Sequence, residues 1–391
     1  MKLKLSSSEK KAALSLSGIY GLRMFGLFLV MPVLFIHAQD MSDFTPLLAG
    51  IAIGIYGLGQ AILQIPFGYL SDRLGRKPII IFGLLVFIVG SVIAANAETV
   101  WGLIIGRALQ GSGAIASTLM ALAADLSRPE LRSKMMAVIG ATIGAAFILA
   151  LITGPWLAGF VGISGLFWFT AGLALVAIAV VQWVTPSGDI KKANLTVLPA
   201  KKQLHNVLTD NQLQRTNLGI LLMHLFLTAI FVVLPAQLIA KGLPLTSHSP
   251  TYLVLLLTGF IAMLPALIWV EKNKAHKVGF IVAVSLLLIA NLLLGMTESL
   301  NGLLTGLGLF FFAFNFLEAS LPALVSRLCS ADNRGTAMGV YSTSQFSGAF
   351  LGGAFAGMVL QYGDYQMLFI SLAAMSLLWL IALAGMKSLA K

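Results

Sequence analysis

Four ionisable side chains stand inside long apolar stretches of this 391-residue sequence: Arg23, Arg107, His224 and Glu318. A charge at the middle of an apolar helix costs about 2.5 to 3.5 kcal/mol on the insertion scale, so such residues face a partner or a cavity rather than lipid. Their chemistries differ. The carboxyl of Glu318 and the imidazole of His224 can take up and release a proton during a working cycle. The guanidiniums of Arg23 and Arg107 stay charged; they can hold an anion, pair with Glu318 or bias a neighbour's proton affinity, but not carry the proton. These four form the candidate proton-coupling set. The structural alternative is a locked ion pair at Glu318 and a packing hydrogen bond at His224.

A second group offers hydrogen bonds. Tyr56, Gln60 and Gln64 recur every fourth residue and share one helical face, as do Tyr341 and Gln345. With Gln110 and Asn315 they form a candidate substrate-cavity set, and helix-to-helix glue at about 0.6 kcal/mol each is the alternative reading. A third group is local: the stretch GYLSDRLGRK sets Asp72, Arg73, Arg76 and Lys77 close together in a chain that is only 10% charged.

Metal and covalent chemistry find no footing. His37, His205, His248 and His276 lack partners at ligand spacing, and Cys329 is the single cysteine, so the chain holds neither a disulfide framework nor a thiolate metal site. There is no P-loop, nucleophile elbow or zinc-protease helix, which argues against an ATP-driven pump and against an enzyme. No metal and no cofactor is expected, the coupling ion being H+.

The elements that position these residues follow from composition. With 58% hydrophobic residues and a mean hydropathy of +0.94, the chain reads as an integral membrane protein. A helix needs about 20 apolar residues to cross the bilayer core. Twelve runs qualify, near residues 12–36, 46–70, 78–96, 100–124, 135–159, 163–184, 216–240, 250–270, 278–297, 300–326, 336–360 and 365–386. They are too long for barrel strands, and the first, which follows four lysines, is too long for a signal peptide and reads as a retained helix. Of 25 Lys and Arg residues, 22 fall on the side of the N-terminus, only Lys241 falls opposite, and Arg23 and Arg107 lie inside helices. The positive-inside rule puts both termini in the cytoplasm. The net charge of +11 is therefore a topology signal, and no nucleic-acid partner is implied.

A polar interval divides the runs six and six, giving halves of 1–184 and 216–391 around a cytoplasmic linker of 185–215. Across it PELRSKMMAVIG matches ADNRGTAMGVYS at an offset of 202, aligning Arg132 with Arg334, Met136 with Met338 and Val138 with Val340. Each copy enters the fifth run of its half. Parallel six-helix repeats are a recurring secondary-transporter plan, with substrate held between the halves.

Gly68, Asp72, Arg73, Gly75, Arg76 and Lys77 fit the G-x-x-x-D-R-x-G-R-K pattern that the major facilitator superfamily carries between its second and third helices. Arg107, Gln110, Gly111 and Gly113 on the fourth run resemble the family's R-x-x-Q-G motif, often linked to proton coupling. Gly154, Pro155 and Gly159 on the fifth run resemble its antiporter motif, with alanine at three of the motif's glycine positions. The resemblance implies an all-α membrane fold of twelve transmembrane helices in two pseudo-symmetric bundles. It also implies a monomer in contact with membrane lipid and a small-molecule substrate. A narrower resemblance, to proton-driven efflux members of the family in the bacterial inner membrane, runs through GLRMFGLFLVMPVL, GRALQGSGAIA and FNFLEASLPALVSR; a relative there carries a C-terminal soluble domain, whereas this chain stops soon after the twelfth run. It implies export by proton antiport. Proton-coupled uptake of a nutrient or metal-chelate, and a non-transporting sensor on the same fold, are the alternatives.

Within that frame Gly68 to Lys77 reads as a conformational latch. The second helix is expected to end near Leu70. Asp72 is badly placed for that helix's own dipole and well placed for the N-terminus of the eleventh helix, which Gly68 would let approach. Arg73 and Arg76 need a carboxylate, and Asp125 at the end of the fourth helix is the obvious one. The loop after the eighth helix, EKNKAHK, has lost the pattern, so the latch is expected mainly in one half.

Overall fold

The computed structural model describes residues 6–186, 201–329 and 334–386. Residues 187–200 of the expected linker and the first residues of the second repeat copy lie outside the described residues. The chain packs as two compact units, one of Met1–Phe44 and Ile55–Thr196, the other of Thr45–Gly54 and Val197–Lys391.

The first unit contains α1 (Ser7–Leu29), α2 (Met31–Ala38), most of α3 (Pro46–Leu74), α4 (Arg76–Ala95), α5 (Val100–Ser112), α6 (Ala116–Asp125) and α7 (Arg132–Ala179). Ser6 and Glu9 close a capping box at the start of α1, with Glu9 N donating to Ser6 Oγ at 3.2 Å and Ser6 N to Glu9 Oε2 at 2.8 Å. Asp43 accepts from the first backbone N–H groups of α5, at 2.7 Å from Val100 and 3.3 Å from Trp101. A carboxylate there also meets the positive end of the helix dipole.

Two of the expected runs differ from plain helices. The fourth is split into α5 and α6 by Gly113, Ala114 and Ile115; the sequence GSG has too little helix propensity to hold the ladder unaided. The fifth and sixth are continuous as α7, but 48 residues at about 1.5 Å each make roughly 70 Å, enough for two crossings of a core of about 30 Å. They part at Gly162, whose φ of 65° interrupts the helical backbone. α7 ends in a π-helical turn, Val180–Val184.

The second unit contains α8 (Lys201–Thr209), α9 (Asn211–Ala240), α10 (His248–Asn273), α11 (His276–Met296), α12 (Leu300–Leu328), α13 (Arg334–Tyr362) and α14 (Tyr365–Ala384), together with the first turns of α3. Part of the expected linker is thus helical: Val207 on α8 is buried, and Asp210 caps α9 by accepting from Gln212 and Leu213 N–H. From Met223 to Pro235 every residue of α9 is buried, which is why that stretch shows no polar face.

The corresponding helix pairs, α1 with α7 and α9 with α13, pack closely through glycine in both units. A methyl group on Gly154 of α7 would strike the Leu29 carbonyl of α1, and one on Gly352 of α13 would strike the Leu225 carbonyl of α9. α7 and α13 begin with the two copies of the repeated motif, so the duplication reaches into the packing. Outward surfaces carry Trp156, Phe160, Trp168 and Trp183 in one unit and Ile268, Trp269 and Leu378 in the other, all exposed, as lipid contact requires. With α1 and α2 taken as one crossing and α5 and α6 as another, the helices supply the twelve crossings expected.

Candidate functional site

In the first unit the break between α5 and α6 frees backbone carbonyls inside the membrane, where each must find a donor. Gln60 Nε2 donates to Gly111 O at 2.9 Å and Arg23 Nη2 to Gly113 O at 2.7 Å. Arg107 Nη1 donates to Gln110 Oε1 at 2.9 Å, and Gln110 Nε2 donates onward to Ser91 Oγ at 2.8 Å. Both guanidiniums lie over the ring of Tyr56, its centroid 5.8 Å from the guanidinium carbon of Arg23 and 5.2 Å from that of Arg107, which is cation–π distance. Tyr56, Gln60, Gln64 and Gln110 are all buried, and Gln60 and Gln110 are bonded to protein atoms. The Gln64 carbonyl accepts from Ser117 Oγ at 2.5 Å.

In the second unit α9, α12 and α13 bring His224, Glu318 and Gln345 together. His224 Nδ1 lies 3.3 Å from the Ile220 carbonyl, an oxygen that can only accept, so the proton of the neutral ring belongs on Nδ1. Nε2 then accepts from the Gln345 amide at 2.8 Å and stands 3.9 Å from Glu318 Oε2. That carboxylate oxygen is buried without a hydrogen-bond partner, although 40% of the Glu318 side chain remains accessible. Asn315 Nδ2 and the Tyr341 hydroxyl are also buried without partners. The pair therefore has two arrangements. With neutral imidazole the bond is to Gln345. Protonation puts an N–H on Nε2, which turns the Gln345 amide from donor to competitor and makes Glu318 the favoured acceptor.

At the ends of the helices the charged motif takes definite shape. α3 continues through Asp72 and Arg73 to Leu74, so the helix outlasts the expected end near Leu70 and Asp72 lies in its last turn. Asp72 is paired across the turn that follows: Arg76 Nη1, at the start of α4, meets Asp72 Oδ1 at 2.6 Å. Arg76 Nε also reaches Asp125 Oδ2 at 3.0 Å, and its Nη1 donates to Ser71 Oγ at 2.6 Å. Gly75 turns the chain with φ 97°, a conformation closed to residues with a Cβ. Arg73 stacks on Tyr69 at 4.4 Å rather than on a carboxylate. Lys77 donates to the Thr185 carbonyl at 2.6 Å, tying α4 to the end of the π turn. The open side of Gly68 faces Ser117 of α6.

The second unit has a clamp of opposite polarity that the loss of the Gly and Asp pattern concealed. Arg327, at the end of α12, donates to both oxygens of Glu271, at 3.0 and 2.8 Å, and to His276 Nε2 at 2.9 Å. One signal could have revealed it: the repeat offset carries Asp125 onto Arg327. Also unanticipated is the junction of Glu9 with Arg128, whose backbone N, Nε and Nη2 all donate to that one carboxylate at 3.0 to 3.1 Å. In the antiporter-like motif Gly154 is required by close packing, whereas a methyl at Gly159 would meet nothing within 4 Å. Pro155 lies inside α7.

Twelve helical crossings in two units, with charged and proton-capable side chains held inside the bundle, are the plan of a secondary transporter. The chain belongs to the Major Facilitator Superfamily, whose family model matches residues 16–317 and 216–388. It is 42% identical to the inner membrane transport protein YajR of Escherichia coli (strain K12) over 98% of this chain and 85% of that protein. It is 26% identical to the multidrug resistance protein MdtH of Klebsiella pneumoniae (strain 342), over 87% of this chain and 84% of that one. Among solved structures, the inward-facing, unoccupied bacterial homolog of the human lysosomal transporter Spinster superposes with a TM-score of 0.77 at 15% identity, covering 97% of this chain and 96% of that one. The protein is a multi-pass membrane transporter and not an enzyme.

Proposed function

We propose that this transporter exports small hydrophobic or amphiphilic compounds across the cytoplasmic membrane of a bacterium in exchange for protons, by alternating access, with both chain termini in the cytoplasm. The observation that carries the reading is His224 Nε2 poised between Gln345 and the partnerless Oε2 of Glu318. A proton arriving there exchanges a neutral hydrogen bond for a charged pair, a change of partner large enough to bias a two-state bundle. Export is supported by the naming of the MdtH relative as a multidrug resistance protein and by the Gly-Pro motif of α7. In the same scheme the Arg76 cluster at the end of α3 and α4 acts as the latch that favours one state over the other.

The test is direction of flux. In inside-out vesicles with an imposed proton gradient, a compound found by thermal-shift screening accumulates in the lumen if the protein exports by antiport. Loss of that compound from the lumen would instead mean proton-coupled uptake.

A further inference from the structure

The first unit holds a buried cation with donors to spare. Arg23 is 3% exposed, and of its guanidinium only Nη2 is used, on Gly113 O; Nε and Nη1 are buried with no partner. Buried guanidinium N–H groups left unbonded are costly and rare in folded proteins, and call for an explanation. The Tyr56 hydroxyl beside them is likewise buried and unpartnered, and Arg107 adds a second positive charge on the same ring.

Among the described residues of this unit, the carboxylates are engaged elsewhere or lie outside the long helices. Glu9 is taken by Arg128, Asp43 by the start of α5, and Asp72 and Asp125 by Arg76. Of the others, Asp40 and Glu98 lie between helices and Glu130 in the short 3-10 helix Pro129–Leu131. Arg23 also lines a closed seam between α1, α4 and α7 with Leu22, Leu84, Phe87, Thr170 and Ala174. The guanidinium donors left over fit a carboxylate or sulfonate head.

We infer that the substrate is an anionic amphiphile whose acidic head is held by Arg23 and the Tyr56 hydroxyl. This rests on the reading of the protein as a transporter of amphiphilic compounds and narrows it by charge. Arg23 then has two duties: it closes the broken backbone of α5 and α6 in the empty protein, and it receives the substrate anion through the donors left over.

Three probes with one ring system separate the possibilities: 1-naphthoate, 1-naphthamide and 1-naphthylmethylammonium, titrated by thermal shift against the full chain in lipid nanodiscs without any gradient. The expected result is binding of 1-naphthoate about tenfold or more tighter than the amide, with the ammonium weakest. Arg23→Gln is expected to remove the preference for the carboxylate while leaving the response to the amide. Arg23→Lys, which keeps the charge, is expected to retain the preference at reduced affinity. Equal binding of the three, preference for the ammonium, or no binding of 1-naphthoate to the wild type would overturn the inference, as would an undiminished preference in Arg23→Gln. Should Arg23→Gln fail to give a monodisperse protein, the wild-type ranking and Arg23→Lys decide. Because binding is read without flux, failure of proton coupling and failure of anion recognition show up separately.

Discussion

Replacing Arg76 by glutamine removes the centre of the first unit's cluster while keeping a polar side chain of similar reach. Two ion pairs are lost, to Asp72 at 2.6 Å and to Asp125 at 3.0 Å, together with the hydrogen bond to Ser71. The carboxylates are 41% and 45% exposed and Arg76 is 19% exposed, so the freed acids rehydrate and the heavy penalty of an orphaned buried charge does not arise. Each such pair contributes about 0.2 to 1 kcal/mol. With the shared hydrogen bond the cluster contributes about 1 to 2 kcal/mol, a factor of roughly 5 to 30 in any equilibrium that it holds. In detergent this lowers the unfolding temperature by a few degrees, read by intrinsic fluorescence. In about 1 M salt, where the screening length falls to about 3 Å, most of the difference between variant and wild type disappears. Arg76→Lys falls between, since a lysine cannot span both acids with one planar fork. An Arg76→Gln protein with the wild-type midpoint, or a deficit that salt leaves untouched, would refute this reasoning.

Asp72→Asn lowers transport of a screened compound severalfold with the protein still in the membrane, and unchanged turnover would remove the latch role. Gly154→Ala, which drives a methyl into the Leu29 carbonyl, destabilises the first unit by about 1 to 3 kcal/mol. Gly159→Ala, with open space around it, leaves the unfolding temperature unchanged, and thermal scans of the two side by side check the contrast. Gln345→Leu removes the neutral partner of His224 and shifts the pH at which gradient-driven transport is half-maximal; an unmoved profile would exclude that bond from the cycle.

The twelve crossings were legible because length and hydropathy suffice to mark a helix that must satisfy its own backbone in lipid. The break in α5 and α6 was harder to see. Arg107, Gln110 and Gly111 all lie in α5, ahead of it, and only the flexible GSG stretch hints that the helix pauses and that Arg23 and Gln60 are recruited to its carbonyls. The end of α3 was placed too early because Asp72 and Arg73 look like loop residues; Arg73 instead stacks on Tyr69 one turn back, and Asp72 pairs with Arg76 across the turn into α4. Arg73 found an aromatic face where a carboxylate was expected, a choice that spacing alone does not determine. The Arg327 clamp was missed because a charge-reversed pattern leaves no motif behind, only a position in the repeat. The meeting of His224 with Glu318 lay within reach, since both sit inside apolar runs, but residues so far apart in the chain are joined only by packing.

Glu318 and His224 are proposed to pass a proton in step with the substrate. In proteoliposomes containing a pH-sensitive dye and no imposed gradient, adding a compound that raises the unfolding temperature moves protons in the direction opposite to the compound, and Glu318→Gln abolishes that movement while compound exchange persists. Compound flux in the wild type with no accompanying proton movement, or undiminished proton movement in Glu318→Gln, would contradict it.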